Sequence, residues 1–94
     1  MQKILVREKE KIPSGRRFSV FVGDGNALDQ YSVSLTDSYW ERLTSRRISQ
    51  EELIRRSFEF LLENESKDDI LKDFGLPAIQ QYFPEFEDKI RASV

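Results

Sequence analysis

The chain has 94 residues, and none of them is cysteine or histidine. Without cysteine there are no disulfides, no thiolate metal sites and no sulfur nucleophile. Without histidine the commonest general base and the commonest transition-metal ligand are gone, and a Ser-His-Asp triad is impossible however many serines the chain holds. No apolar run approaches the ~18 residues of a membrane span. The N-terminus lacks the apolar stretch of a secretory signal, so a cytoplasmic location is expected. There is no internal repeat and no low-complexity tract.

What is present favours a folded domain. Seven Phe, three Tyr and one Trp can bury enough surface to offset the entropy of ordering a chain of this length. One core without staples is feasible at this size, with room for dimerisation to add to it, so a monomer or weak homodimer is expected. The net charge of −2 hides an asymmetry. Residues 1–17 carry six bases against two acids, and residues 57–94 carry nine acids against four bases. An acidic last third disfavours general adhesion to nucleic acid or to an anionic membrane.

The first third has the period of strands. Ile4, Leu5 and Val6 open an apolar run that ends at the Pro13-Ser14-Gly15 turn. Phe18, Val20 and Val22 then alternate with Arg17, Ser19 and Phe21. After the Gly23-Asp24-Gly25-Asn26 turn, Tyr31, Val33 and Leu35 alternate with Gln30, Ser32 and Ser34. Short links between consecutive strands predict a three-stranded antiparallel meander over 1–36, with Phe18, Val20, Val22, Tyr31, Val33 and Leu35 on its buried face.

From residue 37 the period becomes helical. Thr36, Asp37 and Ser38 are all suitable caps for a short helix carrying Tyr39, Trp40 and Leu43. Ser49-Gln50-Glu51-Glu52 is a capping box, flanked by Ile48 and Leu53 at the positions of a hydrophobic staple. Leu53, Ile54, Ser57, Phe58, Leu61 and Leu62 form the stripe behind it. Glu51–Arg55 and Glu52–Arg56 have favourable i,i+4 spacing, and Asn64 is the expected stop. Ser66-Lys67-Asp68-Asp69 repeats the capping-box spacing and predicts a third helix through Ile70, Leu71 and Phe74, ended by Gly75 and Pro77. A short helix through Ile79 and Tyr82, and a last one after Pro84 with a Glu85–Lys89 pair, complete the chain. The expected fold class is α+β: one domain over 1–94, with short-to-medium helices packed on one face of the meander.

No constellation in the sequence favours chemistry. Gly23-x-Gly25 lacks the third glycine and the following helix of a dinucleotide loop. Asp68, Asp69 and Asp73 could supply metal oxygens, but Asp68 and Asp69 fall in the first turn of the expected helix, where acids meet its dipole favourably. Residues 66–83 have the outline of a helix-turn-helix, but its second helix has no Lys or Arg to read DNA. The chain is therefore expected to be non-enzymatic, with no cofactor and with another protein as partner. The surplus aromatics Phe60, Tyr82, Phe83 and Phe86 are the candidate contact patch, rimmed by Glu85, Glu87 and Asp88.

Two resemblances accompany this reading. Tyr31-Ser32-Val33-Ser34-Leu35-Thr36-Asp37, followed by Ile48-Ser49-Gln50-Glu51-Glu52-Leu53-Ile54-Arg55-Arg56, resembles the ribbon-helix-helix regulators and antitoxins. That likeness covers about a third of the chain. It implies DNA contact through the outward strand residues Gln30, Ser32 and Ser34 of a dimeric ribbon, with Ser49 and Gln50 at phosphate. The chain as a whole, especially residues 51–62 and Gln81-Tyr82-Phe83-Pro84-Glu85, is similar to a family of small bacterial proteins of unknown function, which implies the domain boundaries and no activity.

Overall fold

The structure is a computed structural model and describes residues 2–94. Its first three strands are β1 (Lys3–Ile12), β2 (Gly15–Asp24) and β3 (Ala27–Thr36). They are joined by two tight turns, the second of which uses Gly25 at a φ of 55° that few side chains tolerate. The antiparallel register sets Val20 opposite both Val6 and Tyr31, and Phe18 opposite Val33. Directly opposite residues share a face, and all six residues expected on the buried face are fully buried. A bulge between Glu8 and Glu10 interrupts β1 at the sheet edge.

The meander is not the whole sheet. A fourth strand, β4 (Asp73–Gly75), lies parallel to β3, giving a mixed sheet of order β1-β2-β3-β4. Hydrogen bonds from Ser32 N to Lys72 O (2.7 Å) and from Leu76 N to Ser34 O (2.9 Å) extend this pairing at both ends. The helix expected from Ser66 onward is therefore absent. Ser66 does cap, with its hydroxyl accepting from Asp68 N, but only a single 3-10 turn, Lys67–Asp69, follows. Two tertiary partners outcompete the helix. The Tyr31 hydroxyl donates to Lys67 O (2.7 Å), and β3 offers an unpaired edge whose backbone groups take up those of residues 72–76. Gly75, expected as a left-handed helix stop, lies instead in β4 opposite Ser34.

Among the described residues there are four α-helices: α1 (Asp37–Thr44), α2 (Gln50–Asn64), α3 (Ala78–Tyr82) and α4 (Phe86–Ser93). The N-cap of α1 is Thr36, whose hydroxyl accepts from Tyr39 N. The helix closes on Ser45 and Arg46, two successive non-glycine residues at positive φ. Three contacts hold that strained pair: Ser45 N to Glu41 O, Arg46 N to Thr44 Oγ1, and the Arg46 guanidinium on Glu41. Ser49 caps α2 as expected, with its hydroxyl accepting from Glu52 N (3.0 Å). Of the two expected helix pairs, Glu52–Arg56 forms (2.7 Å), whereas Arg55 turns to Glu52 and Glu59 rather than to Glu51.

The helices do not form one layer on one face. Helices α1 and α2 meet the sheet, α2 along β1, while α4 packs on α1 and α2 and α3 packs on α4. Phe58 of α2 is fully buried against the Tyr31 ring (5.4 Å between centroids) and the Phe74 ring (6.1 Å). Glu87 fastens α4 to α1: its carboxylate accepts from the Tyr39 hydroxyl (3.0 Å) and lies 3.6 Å from Arg42. Burial and that carboxylate together push the Tyr39 phenol well above its ordinary range.

Candidate functional site

The structure splits the four aromatics expected to form one contact patch. Phe86 is fully buried and Phe60 nearly so. The Phe60 ring packs between Phe83 (5.6 Å, edge to face) and Phe86 (5.3 Å). These two residues are core and are withdrawn from the patch. Phe60 lies off the main stripe of α2 because it faces α4 and the segment before it instead of the sheet. Phe83 is half-buried, and Tyr82 remains 67% exposed. Of the expected acidic rim, Glu87 is occupied by Tyr39 and Arg42, while Glu85 and Asp88 stay exposed.

What remains of the patch joins a groove that the sequence did not outline. Its apolar lining includes Tyr82 and Phe83 together with Leu61, Leu71, Phe74 and Ile79. Leu71 is 52% exposed. It lies in the short link between the 3-10 turn Lys67–Asp69 and β4. Ile70 goes into the core and Leu71 to solvent. The groove encloses about 160 Å³, well below the ~300–1,000 Å³ of sites for drug-sized ligands. It is sized for one or two side chains.

Two carboxylates, Glu65 and Asp69, complete the lining, and no Lys or Arg does. The Glu65 carboxyl is raised from its ordinary value by burial first and by the Asp69 charge second. The neighbouring lysines are committed elsewhere. Lys67 lies 3.1 Å from Asp29, and Lys72 lies 3.8 Å from the same carboxylate with its ammonium 4.4 Å from the centre of the Tyr31 ring. Those cations, the hydrogen-bonding Lys67 foremost, hold Asp29 below its ordinary value. Among the described residues, neither Glu65 nor Asp69 has an ion-pair partner.

The residues expected to touch DNA are dispersed. Gln30, Ser32 and Ser34 lie on the sheet face opposite the core, with Gln30 exposed and the two serines half-covered. Over 32–34 both edges of β3 are hydrogen-bonded within the chain, to β2 and β4, so no edge is free there to build a ribbon with a second chain. Ser49 is exposed, with its hydroxyl taken by the α2 cap. Gln50 is turned inward. Its amide donates to Asp37 Oδ1 (2.7 Å), and its Oε1 is buried without a hydrogen-bond partner among the described residues. Among the described residues no cluster of three or more metal-ligating side chains is placed to hold an ion, and no helix is long and apolar enough to cross a membrane.

Comparison with protein-family models, with curated proteins and with solved structures finds no match.

Proposed function

We propose that the protein is a non-enzymatic interaction module that docks another protein through the groove between Leu71 and Tyr82. The observation that carries this reading is the groove itself. It is concave and apolar, its two rim residues are large hydrophobics more than half exposed, and its volume suits side chains of a partner rather than a cofactor. Large apolar side chains left in water at one groove are what a contact site provides before its partner arrives. Leu5 and Leu28 are also exposed, but neither lines this groove.

Site-specific photo-crosslinking tests this. A benzoylphenylalanine at position 82 should give a discrete adduct in cells of the source organism, while one at exposed Lys9 on β1 should not. The adduct should disappear with Leu71→Glu. Identical adduct patterns from positions 82 and 9, or an adduct that survives Leu71→Glu, would rule the groove out as the contact site.

A further inference from the structure

We infer that the groove accepts a basic segment of a partner protein: an apolar anchor side chain flanked by lysine or arginine. This rests on the groove being the docking site and specifies what docks there. The apolar walls set the need for an anchor. The charge of the lining sets the rest. Glu65 and Asp69 both face the groove, neither is neutralised from within the chain, and the two nearest lysines are held by Asp29.

A bound cation meets two favourable terms here. It pairs with two carboxylates that line the same groove and have no ion-pair partner among the described residues. It does so at the edge of an apolar surface, where water screens less than in the open. An acidic segment meets the same two carboxylates as repulsion. A neutral apolar segment fills the walls and leaves Glu65 further desolvated and unpaired, which is costly. Charge complementarity of this kind discriminates between partners more than it adds raw affinity. A second copy of this chain satisfies the requirement less well, because its basic N-terminal stretch interleaves Glu8 and Glu10 with the cations and Glu8 and Glu10 already pair with Arg16 and Arg17.

The test uses the intact protein and fluorescein-labelled peptides built of alternating pairs of lysine and leucine, of glutamate and leucine, and of lysine and serine. Fluorescence anisotropy should show the lysine–leucine peptide binding at least about tenfold more tightly than either of the others, a difference of about 1.4 kcal/mol. Raising sodium chloride to about 1 M, where the Debye length is only ~3 Å, should remove most of the preference over the glutamate–leucine peptide and leave the preference over the lysine–serine peptide in place. The pair Glu65→Gln and Asp69→Asn should weaken the lysine–leucine peptide about tenfold, and Glu65→Lys with Asp69→Lys should invert the preference toward the acidic peptide. Circular dichroism confirms that each variant is folded.

The failures are distinguishable. If Leu71→Ser and Tyr82→Ser weaken peptide binding while the Glu65 and Asp69 variants do not, the basic partner is overturned and the docking groove stands. If no variant of Leu71 or Tyr82 alters binding, the groove reading falls and takes the basic partner with it. Equal binding of the three peptides, the absence of saturable binding below about 1 mM, or concentration-dependent self-association that competes with the lysine–leucine peptide each overturns the basic partner directly.

Discussion

Replacing Phe58 with alanine probes the joint between sheet, helix and groove. The side chain is fully buried, with the Tyr31 ring on one side and the Phe74 ring on the other. Truncating a buried phenylalanine costs ~3–5 kcal/mol, made of lost transfer energy plus the cavity left behind. The upper part of that range applies here, because two aromatic contacts worth ~0.5–1.5 kcal/mol each are lost as well and Tyr31 is tethered by its hydroxyl to Lys67 O and cannot collapse into the space. A domain of this length has about 5–14 kcal/mol in total, so the variant loses about a quarter of its stability or more. At ~4–8 °C per kcal/mol the melting temperature should fall by roughly 12–40 °C. Urea unfolding followed by circular dichroism measures it, with Leu71→Ala as control. That residue is about half exposed, and its loss should stay within about 0.5 kcal/mol. Phe74, which lines the groove, rests on Phe58, so the lysine–leucine peptide should also bind Phe58→Ala less well under conditions where that variant is folded. A stability loss below about 1.5 kcal/mol, or one no larger than that of Leu71→Ala, would refute the packing described for α2.

Ser49→Ala removes the hydroxyl that accepts from Glu52 N and should cost about 1 kcal/mol, read as a lower urea midpoint at unchanged m-value. Glu52 is held down to about 2 by Arg55 and then Arg56. A depressed carboxyl stabilises the fold above its unfolded value of 4.5 and loses that contribution as pH falls toward 2. Glu52→Gln should therefore cost roughly 0.5–1 kcal/mol at neutral pH and flatten the acid limb of the stability profile, with added salt shrinking the difference. Glu65 has the opposite sign. Its raised carboxyl favours the fold while protonated, and that contribution is lost as pH rises through the folded value, so Glu65→Gln should raise the melting temperature at pH 7 and bring no gain at low pH. Tyr39→Phe deletes the hydroxyl that donates to Glu87 and should cost about 1–3 kcal/mol by leaving a mostly buried carboxylate short of a partner. Equal stability of Tyr39→Phe and the parent would show that Arg42 and Arg91 suffice.

The parts of the fold that were legible in the sequence are those fixed by local pattern. The alternation through Phe18–Val22 and Tyr31–Leu35 predicted a buried face residue by residue, because a period of two leaves no choice of face once one side is apolar. Ser49 and the stripe behind it located α2 because cap and amphipathic face agreed. Residues 66–76 failed for the complementary reason. Their local signal, a Ser with acids after it, was a valid cap, but the decision belonged to partners more than thirty residues away: the Tyr31 hydroxyl and the free edge of β3. A three-residue parallel strand leaves almost no trace in sequence, since parallel pairing is specified by the neighbour and not by alternation. The aromatic patch was half legible. That Phe60 lay off its helix stripe was visible, but which neighbour it met was not.

That misread segment and the groove have one origin. Had residues 66–74 formed a helix, Ile70, Leu71 and Phe74 would have lain close together on one face, available to turn inward as a group. The chain instead pairs Asp73–Gly75 with β3; Ile70, before that strand, enters the core, Leu71 is turned out, and Phe74 is left half-covered in the lining it shares with Tyr82 and Phe83. Asp69, which would have neutralised the first turn of a helix as part of its dipole, ends a single 3-10 turn and shares the groove lining with Glu65. The conversion from helix to strand thus creates the apolar wall and the unpaired negative charge together. A substitution that restores helical preference there, such as Gly75→Ala with Asp73→Ala, pulls against the β3 pairing. It should reduce lysine–leucine peptide binding even though neither residue lines the groove, and full binding by that variant would separate the groove from the strand that is argued to build it.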